Sequence, residues 1–192
     1  MKIPLVDLYE QYINIKDEID AAIAKVIEES SFIRGVHVKA FEKAFRELIG
    51  VKHCISCGNG TDSLYIIMKM MGIGHGDEVI TTAHSWIASS ETITQTGAKV
   101  VFVDTDQDSF TIDTSKIESY INESTKAIVP VHLYGHPAEM KTIMDLAEKY
   151  NLKIIEDCAQ AHLANYAGQL VGTIGHAGSF SFYPGKNLGA YG

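Results

Sequence analysis

The chain has 192 residues with 46% hydrophobic and 21% charged, the proportions of one globular domain or slightly more. Its formal charge of −8 argues against a nucleic-acid polymer, whose phosphates demand a basic face, but leaves room for a small anion held by backbone N–H groups. No apolar run reaches the ~18 residues of a membrane span, and Met1-Lys2-Ile3-Pro4-Leu5 lacks the basic-then-apolar shape of a signal peptide. The expectation is therefore a cytoplasmic protein with no membrane partner.

Ile15, Ile19, Ala22, Ile23, Val26 and Ile27 recur at three- and four-residue spacing and predict a helix within 14–29. Val38, Phe41, Phe45 and Leu48 predict a second, stopped by Gly50. Residues 1–50 thus read as a helical lead-in and 51–192 as the main domain. From there the rhythm changes. Short β-rich runs fall at 53–57, 78–82, 99–103, 126–131, 152–156 and 178–183, with helical stretches at 61–71, 86–96, 115–121 and 138–150. Alternating strand and helix predicts an α/β fold with a mostly parallel sheet. The apolar runs at 100–103 and 127–131 suit strands covered on both faces, with an end or bulge at Pro130.

In such sheets ligands bind beyond the carboxyl ends of the strands. Polar residues gather there: Gly58-Asn59-Gly60-Thr61-Asp62 after the first run, His84-Ser85-Trp86 after the second, then Asp104, His132 and Asp157. The glycines at 58 and 60 let the backbone turn tightly, and Thr61 is a natural N-cap. The stretch fits either a capped helix or a phosphate site. It is neither a dinucleotide fingerprint nor a Walker loop, because Ser63 replaces the third glycine and no G-K-[ST] follows. Trp86, the sole tryptophan, suits core packing or a flat face stacked on a ring.

No metal is expected. His84, His132, His136 and His162 match no metal-binding spacing. Cys54 and Cys57, three apart on an expected strand, should face opposite sides. The three cysteines, odd in number, argue against a disulfide scaffold.

Ser179-Phe180-Ser181-Phe182-Tyr183-Pro184-Gly185-Lys186-Asn187-Leu188-Gly189 sets a lysine on a tight turn beyond an aromatic strand. Asp157 closes another strand. A lysine and a carboxylate at two strand ends are what a pyridoxal phosphate enzyme needs. The amine holds the cofactor as a Schiff base, and the carboxylate keeps the ring nitrogen protonated.

With those blocks, the chain resembles the DegT/StrS-type nucleotide-sugar aminotransferases, fold-type-I pyridoxal phosphate enzymes. The resemblance runs in order through 3–8, Phe41-Glu42, 58–62, 76–80, 131–135, 155–162 and 179–189. It implies a three-layer α/β/α large domain. Lys186 is then the Schiff-base lysine, Asp157 the partner of the ring nitrogen and Gln160 the partner of its phenolic oxygen. Trp86 stacks on the ring. Gly60, Thr61, Asp62 and Ser181 bind the 5′-phosphate. The implied reaction moves an amino group, usually from glutamate, to a keto-sugar nucleotide, with wording around Lys186 closer to members that act at C3. Deoxyamino-sugar biosynthesis for surface polysaccharide or glycoconjugate is the implied setting, and a homodimer the implied assembly.

Family members are about twice as long. Their seventh strand, inserted beside the first, and a small C-terminal domain have no counterpart in these 192 residues. On that basis 1–192 alone is expected to be inactive and aggregation-prone, because a sheet missing an interior strand exposes unpaired edges. Two readings compete with transamination: a truncated, non-catalytic module that binds cofactor or dimerises, and a cofactor enzyme that catalyses elimination.

Overall fold

The computed structural model describes residues 4–191; Met1, Lys2, Ile3 (which opens the first resemblance block) and Gly192 lie outside the described residues. The chain divides between Ser56 and Cys57 into two compact units.

The first unit carries three helices: α1 (Leu8–Asn14), α2 (Lys16–Glu28) and α3 (Val36–Ile49). The second and third match the expected stripes. The first was not foreseen; Asp7 starts it by accepting a hydrogen bond from the Glu10 N–H at 2.9 Å. Gly50 ends α3 as expected, its φ of 73° being a left-handed cap.

The second unit holds α4 (Gly60–Met70), β1 (Glu78–Thr82), α5 (Ala88–Thr96), β2 (Lys99–Val103), α6 (Thr114–Ile117), β3 (Thr125–Val129), α7 (Met140–Tyr150), β4 (Lys153–Asp157), β5 (Asn165–Tyr166), β6 (Gln169–Leu170) and β7 (Ala177–Ser179). Five strands form one sheet in the order β2-β1-β3-β4-β7, every pair parallel. Successive side chains on a strand point to opposite faces, and the core divides accordingly. Ile80, Ile128 and Ile154 pack with Met140, Ile143 and Leu146 on one face. Val79, Ala127, Val129 and Ile155 pack with Leu64, Met68 and Ile93 on the other. Helices therefore cover both faces, and the unit is a three-layer α/β/α structure.

Three expectations need correction. Residues 53–57 form no strand, because among the described residues they have no ladder partner. The strand-face argument for Cys54 and Cys57 lapses with it, although both are free thiols. Of the run at 178–183 only Gly178 and Ser179 pair, as the end of β7 against β4, and no described strand takes the other edge of β7. The run at 100–103 is not covered on both faces: β2 is an edge strand and Phe102 is 48% exposed. β3 does match, with Ala127, Ile128 and Val129 fully buried and the strand ending before Pro130. The β5–β6 hairpin carried too few apolar residues to be foreseen.

Candidate active site

A parallel sheet puts all its carboxyl ends on one side, so the polar residues after β1, β3 and β4 share that edge. Asp157, the last residue of β4, is buried. Its Oδ2 accepts from Ser89 Oγ at 2.7 Å, and its Oδ1 from the Ala159 N–H at 3.1 Å. Burial pushes its pKa upward, against the pull of those two hydrogen bonds and the charge of Lys186. An ionised Asp157 thus costs stability at neutral pH and is poised to accept a cation.

Lys186 follows β7 on a turn closed by its own N–H to the Tyr183 carbonyl at 2.8 Å. Among the described residues its ammonium makes no ion pair or hydrogen bond, yet its charge reaches both Asp157 and His162. It lines an open cavity of about 460 Å³ together with Tyr134, Gln160, Tyr183, Gly185 and Asn187. Across that cavity Gln160 Oε1 accepts from the Tyr134 N–H at 2.9 Å. The contact fixes which end of the amide is the oxygen, so the NH₂ end keeps its hydrogens for a ligand acceptor.

The start of α4 corrects one reading. Asn59, not Thr61, is the N-cap: its Oδ1 accepts from the Asp62 N–H at 2.8 Å, which places Thr61 inside the first turn. The N–H groups of Gly60 and Thr61 have no partner among the described residues, the arrangement that favours an anion. Ser181 lies against this turn. A Cβ on Gly60 would meet Ser181 Cβ at 2.9 Å and its Oγ at 3.3 Å. Only glycine lets the serine approach this closely, so Gly60, Thr61 and Ser181 line one small polar cradle. Asp62 is exposed and its carboxylate accepts from Asn59 Nδ2 at 3.0 Å. Its contribution to an anion site is the shape of the turn rather than its charge.

Trp86 is 73% exposed, which rules out the core-packing alternative. His84 is exposed and packs edge-on to Tyr134 at 6.3 Å. Asp104 points away to an exposed ion pair with Lys116 at 3.8 Å and takes no part.

Sequence reasoning missed Glu156. It is fully buried and accepts from His132 Nε2 at 3.0 Å and from the N–H groups of Gly172, Ile174 and Gly175 at 2.8, 2.8 and 2.7 Å. His132 Nδ1 accepts from the Ala138 N–H at 3.0 Å, so Nε2 carries the hydrogen given to Glu156. Burial pushes the Glu156 pKa up, but these donors outweigh it and the net shift is down. Glu156 thereby ties the loop leading to β7 against β4. His132, Glu156 and Cys158 offer ligand atoms within 4.8 Å of one another. However, both imidazole nitrogens and both carboxylate oxygens are already engaged, and burial pushes the thiol far up. This is a hydrogen-bonded cluster. Its only signal in the sequence was an acidic residue inside an apolar strand.

The fold and site define a class: an open parallel α/β domain presenting a lysine and a buried carboxylate at one sheet edge. The model of the DegT/DnrJ/EryC1/StrS aminotransferase family matches residues 13–192, and the chain belongs to that family. It is 47% identical over its whole length to a Geobacillus stearothermophilus protein named "Pleiotropic regulatory protein", covering 52% of that protein. It is 46% identical over 99% of its length to the UDP-N-acetyl-3-dehydro-alpha-D-glucosamine 3-aminotransferase of Acidithiobacillus ferrooxidans, again covering 52%. Among solved structures, Streptomyces venezuelae DesV in complex with a ketimine intermediate superposes with a TM-score of 0.94 at 40% identity, covering 100% of this chain and 52% of DesV. The chain spans about half the length of the curated relatives it matches.

Proposed function

We propose that this chain is the cofactor-holding part of a pyridoxal-phosphate-dependent nucleotide-sugar aminotransferase, acting at C3 of a keto-sugar with glutamate as donor. The observation that carries this reading is the buried Asp157 carboxylate, desolvated and within the field of Lys186 beside the Gln160 cavity. The 3-aminotransferase name of one relative supports the position on the sugar.

The residues fit the cofactor on three counts. Asp157 offers a desolvated anion to a pyridinium. The Gly60–Thr61–Ser181 cradle offers N–H and hydroxyl donors to a phosphate. The open cavity gives Lys186 and Gln160 access to the same ligand. When bound, pyridoxal phosphate supplies an electron sink and a carbonyl that accepts an amine. Lys186 Nζ would hold it, and the free lysine amine would serve as general base and acid for the α-proton of the donor. Asp157 would keep the ring nitrogen protonated, the Gln160 amide hydrogens would be available to the phenolic oxygen, and the exposed face of Trp86 would be free to stack.

The reading includes a homodimer, which the family resemblance implies, and a cytoplasmic setting. It keeps 1–50 as the lead-in and 51–192 as the cofactor domain.

The test is a half-reaction. The full-length protein, given pyridoxal phosphate and glutamate without sugar, is expected to release one equivalent of 2-oxoglutarate per site. Bound cofactor with no 2-oxoglutarate would instead leave the elimination enzyme and the non-catalytic module as the readings.

A further inference from the structure

Five hydroxyl side chains lie on α5, and four of them serve their own helix. Ser90 donates to the Ile87 carbonyl at 3.1 Å, Thr92 to Ala88 at 2.7 Å, Thr94 to Ser90 at 3.4 Å and Thr96 to Ile93 at 2.7 Å. Such back-bonding is the default for a helical hydroxyl. Ser89 departs from it. Its side chain is 1% exposed and reaches across to Asp157 Oδ2 at 2.7 Å. It also meets Ser85 Oγ at 2.8 Å, one turn back and flanking Trp86.

Counting hydrogens sets the direction of this chain. A hydroxyl has one hydrogen to give. An ionised carboxylate can only accept, so the Ser89 hydrogen goes to Asp157. Ser85 must then donate to Ser89. Protonation at Oδ2 would break or reverse the Ser89 link, and protonation at Oδ1 would leave Ser89 donating to a neutral carbonyl oxygen, so the relay is strongest while Asp157 is charged.

We propose that Ser89 is a positioning residue for Asp157: through the relay from Ser85 it holds the buried carboxylate ionised and fixes its rotamer, leaving Oδ1 and its remaining lone pairs for a cationic ring nitrogen. The last clause rests on the aminotransferase reading; the control of Asp157 does not. Other groups act on the same carboxylate. Lys186 favours its charge, the Ala159 N–H donates to Oδ1, His132 is turned to Glu156, and the Cys158 thiol beside it is held neutral by burial. Lys186 does not replace Ser89, because it donates no hydrogen bond to Asp157 among the described residues.

The test uses the full-length protein labelled with ¹³C-carboxyl aspartate, with the Asp157 resonance assigned by its loss in Asp157→Asn. In the unliganded protein Ser89→Ala is expected to raise the Asp157 titration midpoint by about one to two pH units, the equivalent of one hydrogen bond to a charged group. Ser89→Thr restores the hydroxyl and returns the midpoint to the parent value. Ser85→Ala shifts it in the same direction by less. With pyridoxal phosphate, the acid limb of cofactor retention moves up in parallel in Ser89→Ala. A merely structural role would lower the melting temperature and leave the midpoint in place, and an unmoved midpoint overturns the proposal. If Ser89→Ala does not fold, Ser85→Ala decides: an upward shift supports the relay and no shift overturns it. A parent protein that shows the midpoint shifts but binds no pyridoxal phosphate would sink the aminotransferase reading while leaving the control of Asp157 by Ser89 intact.

Discussion

Asp157→Asn is expected to slow the glutamate half-reaction by on the order of 10²–10³-fold, the usual loss when one preorganised electrostatic partner is removed, while leaving the unliganded protein as stable as the parent or more so. The two effects have one cause. The pKa of buried Asp157 is raised by desolvation. A carboxylate whose folded pKa lies above its unfolded value gives stability that is fully present below the unfolded pKa and lost as pH rises through the folded one. At neutral pH the ionised side chain is therefore a cost that a bound cation offsets. Asparagine keeps the shape and removes the cost, and with it the charge that holds a ring nitrogen protonated. Half-reaction kinetics and thermal melts of unliganded protein measure the pair. A variant with parental kinetics would remove Asp157 from the site.

The adjacent residue on the same strand should behave in the opposite way. Glu156→Gln is expected to destabilise the protein by about 3–5 kcal/mol, the cost of breaking a buried charged network. For a chain of this size that lowers Tm by roughly 6–20 °C. A glutamine amide can still accept from two of the four donors, but its NH₂ group meets the others donor to donor. His132 cannot turn to relieve this, because its Nδ1 is held by the Ala138 N–H. The folded pKa of Glu156 is lowered, burial notwithstanding, by the hydrogen bonds from His132, Gly175 and Gly172. Its contribution is therefore present above the unfolded carboxylate pKa and lost as pH falls through the folded value. Melts across pH should show the variant well below the parent at neutral pH and the two curves converging in acid. Parallel curves at all pH values would mean that the charge contributes nothing.

The contrast between Glu156 and Asp157 shows what the sequence could and could not disclose. Both sit on β4, and strand alternation sends their side chains to opposite faces. Strand-end position and the relation to Lys186 singled out Asp157. Nothing local marked Glu156, whose partners at 132, 172, 174 and 175 are distant in sequence. The sheet was legible because β1, β3 and β4 are short apolar runs between helical stripes. The segment at 53–57 also precedes a glycine turn and a helix, but a strand is defined by its neighbour, and the local sequence does not reveal one. The cap at Asn59 was missed for a smaller reason: Asn and Thr are both good N-caps, and only the geometry of the Asp62 N–H chose between them. Ser89 was invisible among five helical hydroxyls until its single long-range bond was seen.

Chemical trapping at one amine tests the account most directly. Full-length protein incubated with pyridoxal phosphate, reduced with borohydride and digested should carry one stoichiometric pyridoxyl group, on the peptide containing Lys186, and Lys186→Ala should carry none. Label scattered over surface lysines at low yield, or undiminished in Lys186→Ala, would contradict it.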